Sequence, residues 1–206
     1  GNDGLLFPFH TMTTASNRPA IAVYAKRLSD YLIADSADSF EVNNSISINS
    51  DHITNASIRQ PTFPSADDDV SVVLLDAADF TPFTKGFSII TNMRLVIADD
   101  TNVTEATTPA GMVLSAGEKF YPPLSMFAPE KRYGNTGENV PVEIEGQVGS
   151  LAKNNQNPVN IFDLKSGSED AVVPGNISAS LKPINHPAQL PPINMMNWMI
   201  AIREIH

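Results

Sequence analysis

The sequence predicts a mainly β fold: an antiparallel β-sandwich or jelly-roll-like barrel, with long Pro/Gly-rich loops and one N-terminal helix. Three observations carry this expectation. Several segments alternate apolar and polar residues with a period of two, as half-buried strands do. Pro and Gly punctuate the chain between them at spacings of roughly 10 to 20 residues. No strand–helix–strand alternation and no internal repeat is visible, so a doubly wound or repeat architecture is not expected.

Residues 1–17 read as an extended arm. Leu5, Leu6, Phe7 and Phe9 are apolar, Pro8 interrupts them, and their spacing is not helical. Such an arm has to dock, on its own domain or on a neighbour. Residues 18–206 are expected to form a single domain.

Residues 18–34 are the helix candidate. Ser16 or Asn17 suits a cap and Pro19 a first turn. Ile21, Tyr24, Leu28, Tyr31 and Leu32 fall near helical spacing, and Lys26 and Asp30 form an i, i+4 pair. A strand competes here, because Ile21, Val23 and Ala25 also alternate.

From Phe40 the period is two: Phe40, Val42, Ile46 and Ile48 share one face. Residues 53–60 form a weaker strand candidate, and 70–75 is a continuous apolar run suited to a strand buried on both faces. Phe87, Ile89, Met93, Leu95 and Ile97 occupy one parity. Residues 99–108 read as a loop, and 112–114 and 119–121 as short strands. Residues 122–141 contain four prolines and two glycines and are expected to form a long irregular excursion. Alternation resumes at Val142, Ile144 and Val148, and further strands are expected at 159–164 and 177–181, around a turn at 166–170. Met196, Trp198, Ile200 and Ile202 suggest a closing strand, although Met196, Met199 and Ile202 also stand at helical spacing.

Charge and composition narrow the function. The chain has 23 acidic and 13 basic residues, a net charge of −10, and no basic arm. Binding to nucleic acid rests on Lys and Arg neutralising phosphates, so direct nucleic-acid binding is not expected. No apolar run reaches the roughly 18 residues of a membrane helix. The absence of cysteine removes disulfides, thiolate metal sites and cysteine nucleophiles together.

Searches for chemistry return little. His10, His52, His186 and His206 form no metal-binding motif. There is no nucleophile elbow and no phosphate-cradling Gly loop. Glu143 and Glu145 share a strand face, an arrangement that usually means solvation. No catalytic, cofactor-binding or metal residue is therefore assigned, and no enzyme is expected. Asp67, Asp68 and Asp69 are the densest acidic cluster and the one place where calcium is considered; Asp99 and Asp100 form a second. Four glycosylation triplets begin at Asn43, Asn55, Asn102 and Asn176 and matter only in a secretory route.

Contact residues are the remaining candidates. Phe7 and Phe9 lie in the arm, and Phe120, Tyr121, Phe127, Lys131, Arg132 and Tyr133 lie in or beside the 122–141 excursion. Aromatic and Arg side chains are favoured at interface cores, and loops commonly present them. The expectation is a structural or assembly protein acting through protein contacts as a homo-oligomer or larger assembly. A virion subunit (capsid or decoration) comes first. A bacterial secreted or cell-surface sandwich, such as an adhesin, fimbrial or lipoprotein domain, is the alternative. A carbohydrate-binding module ranks below both, because Trp198 is the only tryptophan.

Overall fold

The computed structural model describes residues 6–14, 17, 19–35, 44–49, 70–128, 130–134 and 142–146, and the backbone of 147–150, 165–166 and 177–180. The expected strands at 53–60, 159–164 and 196–202 lie outside the described residues.

The chain opens with β1 (Phe9–Thr13) and β2 (Pro19–Tyr24), which pair antiparallel, and then forms α1 (Ala25–Asp35). The expected helix over 18–34 is corrected in its first half. Ile21 and Val23 point one way and Ala20 and Ala22 the other, and all four are buried between the faces of a sheet. β-Branched residues at alternate positions fit that pleated site better than a helix. Pro19 takes the first position of the strand, where a missing N–H costs least. Asn17 turns the chain between β1 and β2 at φ 61°, its N–H donating to the Thr14 carbonyl at 2.8 Å. In α1, Ala25, Ser29 and Leu32 form the buried stripe, and the Lys26 N–H donates to the Asp76 carbonyl at 3.1 Å. One orphan donor of the helix start is thereby tied to the bend after residues 71–75.

Three sheets follow. The first has the order β1-β2-β4-β6-β8-β11, with β4 (Ser71–Leu75), β6 (Arg94–Ile97), β8 (Glu130–Tyr133) and β11 (Lys165–Ser166). The second has the order β10-β7-β5-β3, with β3 (Ser45–Ile48), β5 (Phe87–Thr91), β7 (Leu124–Ala128) and β10 (Gln147–Ser150). The third pairs β9 (Val142–Glu145) with β12 (Ile177–Ser180), and Thr101 bridges to Ile144 beside them. Every named pair except β1–β2 is parallel.

The expected antiparallel pairing is therefore corrected. A jelly roll is made of antiparallel strands, and among the described pairs only β1–β2 runs that way. Parallel neighbours need a crossover between them. Here the crossover consists of strands in the other sheets. From β5 the chain runs to β6, to Thr101, back to β7, then β8, β9, β10, β11 and β12, visiting second, first and third sheets in turn. The path is a stack of coils, each laid against the one before.

The interior of the coils is one apolar cluster fed by all three sheets. Val72, Leu74, Leu95 and Ile97 come from the first sheet, Ile46, Ile48, Ile89 and Met126 from the second, and Val142 and Ile144 from the third. Phe80, Phe83 and Phe87 fill it with rings whose centroids lie 4.5–5.8 Å apart. The single parity from Phe87 to Ile97 is now explained. β5 and β6 lie in different sheets, and the chain turns a corner between them. The Met93 N–H donates to Thr91 Oγ1 at 3.0 Å, and the Asn92 N–H donates to Asn49 Oδ1 of the preceding coil at 3.1 Å. Inward residues stay inward across the corner because both strands face the same interior.

The expected irregular excursion at 122–141 is also corrected, since it holds β7 and β8. Residues 112–114 and 119–121, expected as strands, belong to a loop.

Candidate interaction surface

The first exposed feature is built by the arm and α1. The Tyr24 N–H donates to the Pro8 carbonyl at 2.9 Å, which seats the arm at the end of β2. Phe9 faces Val23 across the β1–β2 ladder and packs on the main core. Phe7 meets Phe9 edge-on at 5.6 Å and Tyr31 of α1 at 6.1 Å. Both geometries suit the ring quadrupoles. Phe7 is nevertheless 60% exposed, and Leu6 and Ile33 are exposed in like measure. Nearby, the Arg27 guanidinium lies 3.7 Å from the centroid of the Tyr24 ring, and Lys26 pairs with Asp30.

The second feature is a loop between Thr101 and β7. Its neck is closed by the Ala106 N–H donating to the Phe120 carbonyl at 2.9 Å and by an ion pair between Lys119 and Glu105 at 3.5 Å. Two turns shape it. The Met112 N–H donates to the Pro109 carbonyl at 3.1 Å, with Gly111 at φ 86°, and the Glu118 N–H donates to the Ser115 carbonyl at 3.0 Å, with Gly117 at φ 81°. The Glu118 carboxylate returns to accept from the Ser115 N–H at 3.1 Å. Between the turns stand Met112, exposed, and Val113, 94% exposed.

The contact residues expected near 120–135 divide. Tyr121 and Phe127 are half-buried, while Phe120, Lys131, Arg132 and Tyr133 are buried. Phe120 anchors the loop neck. Lys131 falls in register with Leu95 and Val72, and its ammonium donates to the Ala128 carbonyl at 3.4 Å. Arg132 belongs to a buried ionic group on the opposite face of the first sheet. There Glu130 Oε1 accepts from Arg94 Nε at 3.1 Å and from Arg132 Nε at 2.8 Å. Burial pushes the Tyr133 hydroxyl up to about 12. These side chains hold coils together, a role that composition alone does not separate from contact with a partner.

The acidic residues are similarly absorbed. Asp99 Oδ2 accepts from the Asp76 N–H at 2.9 Å and Asp100 Oδ1 from the Glu143 N–H at 2.8 Å. One carboxylate reaches the coil before and the other the coil after. Asp67, Asp68 and Asp69 lie outside the described residues. Among the described residues no three His, Asp or Glu side chains gather as a metal site. No described helix is long and apolar enough to cross a membrane.

No family model matches this chain, and no curated protein or solved structure matches it either.

The loop tip was missed by sequence reading because Met112, Val113 and Leu114 look like a short strand. The signal that could have found it is the pair Gly111 and Gly117, each able to turn at positive φ on either side of an apolar run.

Proposed function

We propose that this protein is a structural assembly subunit, a component that builds or decorates a virion, acting through protein–protein contacts and performing no chemistry. The observation that carries this reading is the exposed apolar pair Leu6 and Phe7, with Phe7 held edge-on against Phe9 and Tyr31. Large side chains ordered by their neighbours yet left in water are the usual material of a protein contact. The stacked coils supply a rigid body from which such surfaces project, and the acidic charge disfavours a nucleic-acid role. The carboxylates at the coil corners are engaged by backbone N–H groups, which suits a structural duty.

Sedimentation velocity over a wide concentration range tests the reading. Species larger than one chain are expected as concentration rises. A strict monomer at the highest attainable concentration would overturn it.

A further inference from the structure

β1 is the outer strand of the first sheet, and among the described residues only β2 pairs with it. One bond fixes where its remaining backbone groups point. The Tyr24 N–H donates to the Pro8 carbonyl, and the same register continues as His10 with Ala22 and Met12 with Ala20. Bonded and non-bonded positions alternate along an antiparallel pair. His10 and Met12 therefore direct their N–H and C=O groups at β2, while Phe9, Thr11 and Thr13 direct theirs away from the sheet. That side is open, since His10, Thr11 and Thr13 are exposed and Phe9 and Met12 half-buried. We infer that this edge pairs with itself: β1 of one molecule and β1 of a second copy join antiparallel about a two-fold axis at Thr11, which makes one sheet continuous across a dimer. The inference rests on the assembly reading above and names its contact and its partner.

Backbone, side chains and charge all favour that occupant. Sheet edges that stay single are commonly blunted by charge, proline or a bulge. Phe9–Thr13 contains no Lys, Arg, Asp, Glu or Pro, and its five residues pair with β2 one for one. What fits a row of outward N–H and C=O groups is another extended strand. A two-fold axis at Thr11 brings outward groups opposite outward groups: Phe9 meets Thr13 of the second copy, and Thr11 meets Thr11, each pair exchanging two bonds. The side chains suit that register. An aromatic ring faces a β-branched residue and Thr faces Thr, both favourable cross-strand pairs. His10 faces Met12 on the other side of the sheet. A chain of net charge −10 repels its own copies. An uncharged strand is where two such copies can approach without setting like charges against each other. The contact is isologous, so by itself it closes at two copies.

Thr11 stands opposite itself on the axis, and two variants exploit this. Thr11→Lys and Thr11→Glu each set like charges face to face, at an exposed position whose backbone does not bond β2. Unchanged far-ultraviolet dichroism and melting would certify both folds. Each variant alone is expected to raise the dimer dissociation constant about tenfold or more in sedimentation equilibrium. An equimolar mixture of the two is expected to recover association close to that of wild type, because Lys then faces Glu. Amide exchange followed by NMR reads the edge directly. The Phe9, Thr11 and Thr13 amides are expected to gain protection only as concentration drives dimer formation, while those of His10 and Met12 are protected throughout. If wild type associates, both variants associate as it does and the Thr11 amide exchanges freely at every concentration, the edge inference falls while the assembly reading stands. If both variants are weakened and the mixture is not restored, Thr11 does not face its own copy and the two-fold pairing again falls. A monomeric wild type would sink the assembly reading itself, and the edge pairing with it.

Discussion

Asn102 holds a coil corner with its backbone and its side chain together. It stands at φ 58°, where Asn is tolerated better than most residues. Its N–H donates to the Ala77 carbonyl at 2.7 Å, and its Nδ2 donates to the carbonyls of Pro122 at 2.8 Å and Glu145 at 2.7 Å. One buried residue thus joins successive coils. Asn102→Ala removes two side-chain bonds and keeps the unfavourable φ, and a loss of about 3 kcal/mol is expected in urea denaturation. Asn102→Gly relieves the φ and is expected to recover about 1 kcal/mol of that. It also heads an N-x-T triplet, but here it is buried and acts as a strut. Tyr133 is the titrating residue at this scale. Folded, its phenol keeps the proton to about pH 12; unfolded, it releases it near pH 10. The unfolded state sheds the proton first. Stability from this group is therefore complete below pH 10 and is lost between roughly pH 10 and 12, by about 2–3 kcal/mol. Tyr133→Phe is expected to flatten that limb, read as the difference between wild type and variant in denaturation at pH 9 and pH 11.5.

The element scale shows which boundaries sequence patterns can place. β4 falls inside the apolar run at 70–75, and β3, β5, β6 and β9 sit where alternation is clean. β2 and α1 were merged into one helix because Leu28, Tyr31 and Leu32 obey helical spacing and Ile21 and Tyr24 happen to extend it. What separates them is pairing: Ile21 lies against Val72, and Val23 between Phe9 and Leu74. β7 and β8 were hidden by the prolines of this stretch; Pro122 and Pro123 stand just before β7 rather than break it. Gly146, between β9 and β10, turns such a corner. A Cβ there would lie 3.0 Å from the Leu124 carbonyl oxygen and 3.2 Å from Leu124 Cβ. Backbone cannot step aside as a long side chain can, so Gly146→Ala is expected to cost about 1–3 kcal/mol and to lower the melting temperature. A variant as stable as wild type would show that this corner tolerates separation of the two coils.

For the whole molecule, net charge and stacking act against each other. Copies of an acidic chain repel at long range, and salt screens that repulsion within about 10 Å at 0.1 M. Burial of exposed apolar side chains such as Phe7 would not be screened. Self-association is therefore expected to strengthen as ionic strength rises, measured by sedimentation equilibrium in a salt series. A weakening with salt would mean that ion pairs, rather than the apolar surfaces, carry the contact.

The sequence by itself determined that the chain is mainly β, that one helix lies near its start, and that residues such as Ile46, Ile48, Ile89, Leu95, Ile97, Val142 and Ile144 face an interior. These follow from the period of a strand and the cost of wetting apolar side chains, which are local properties. Of the candidate surface, Phe7 was legible as an apolar residue in a non-helical arm, and the Met112–Val113 tip was not. Tertiary structure alone decided strand direction. A strand with one face inward alternates in the same way whichever direction its neighbour runs, so nothing in its own residues records the difference. It also decided that the coils stack without a readable repeat: Ser45 pairs with Ser88, Ser88 with Ser125 and Ser125 with Gln147, across circuits of unequal length. And it decided that Lys131, Arg132 and Tyr133 are interior struts, because burial is set by what a fold lays over a residue rather than by the residue's own polarity.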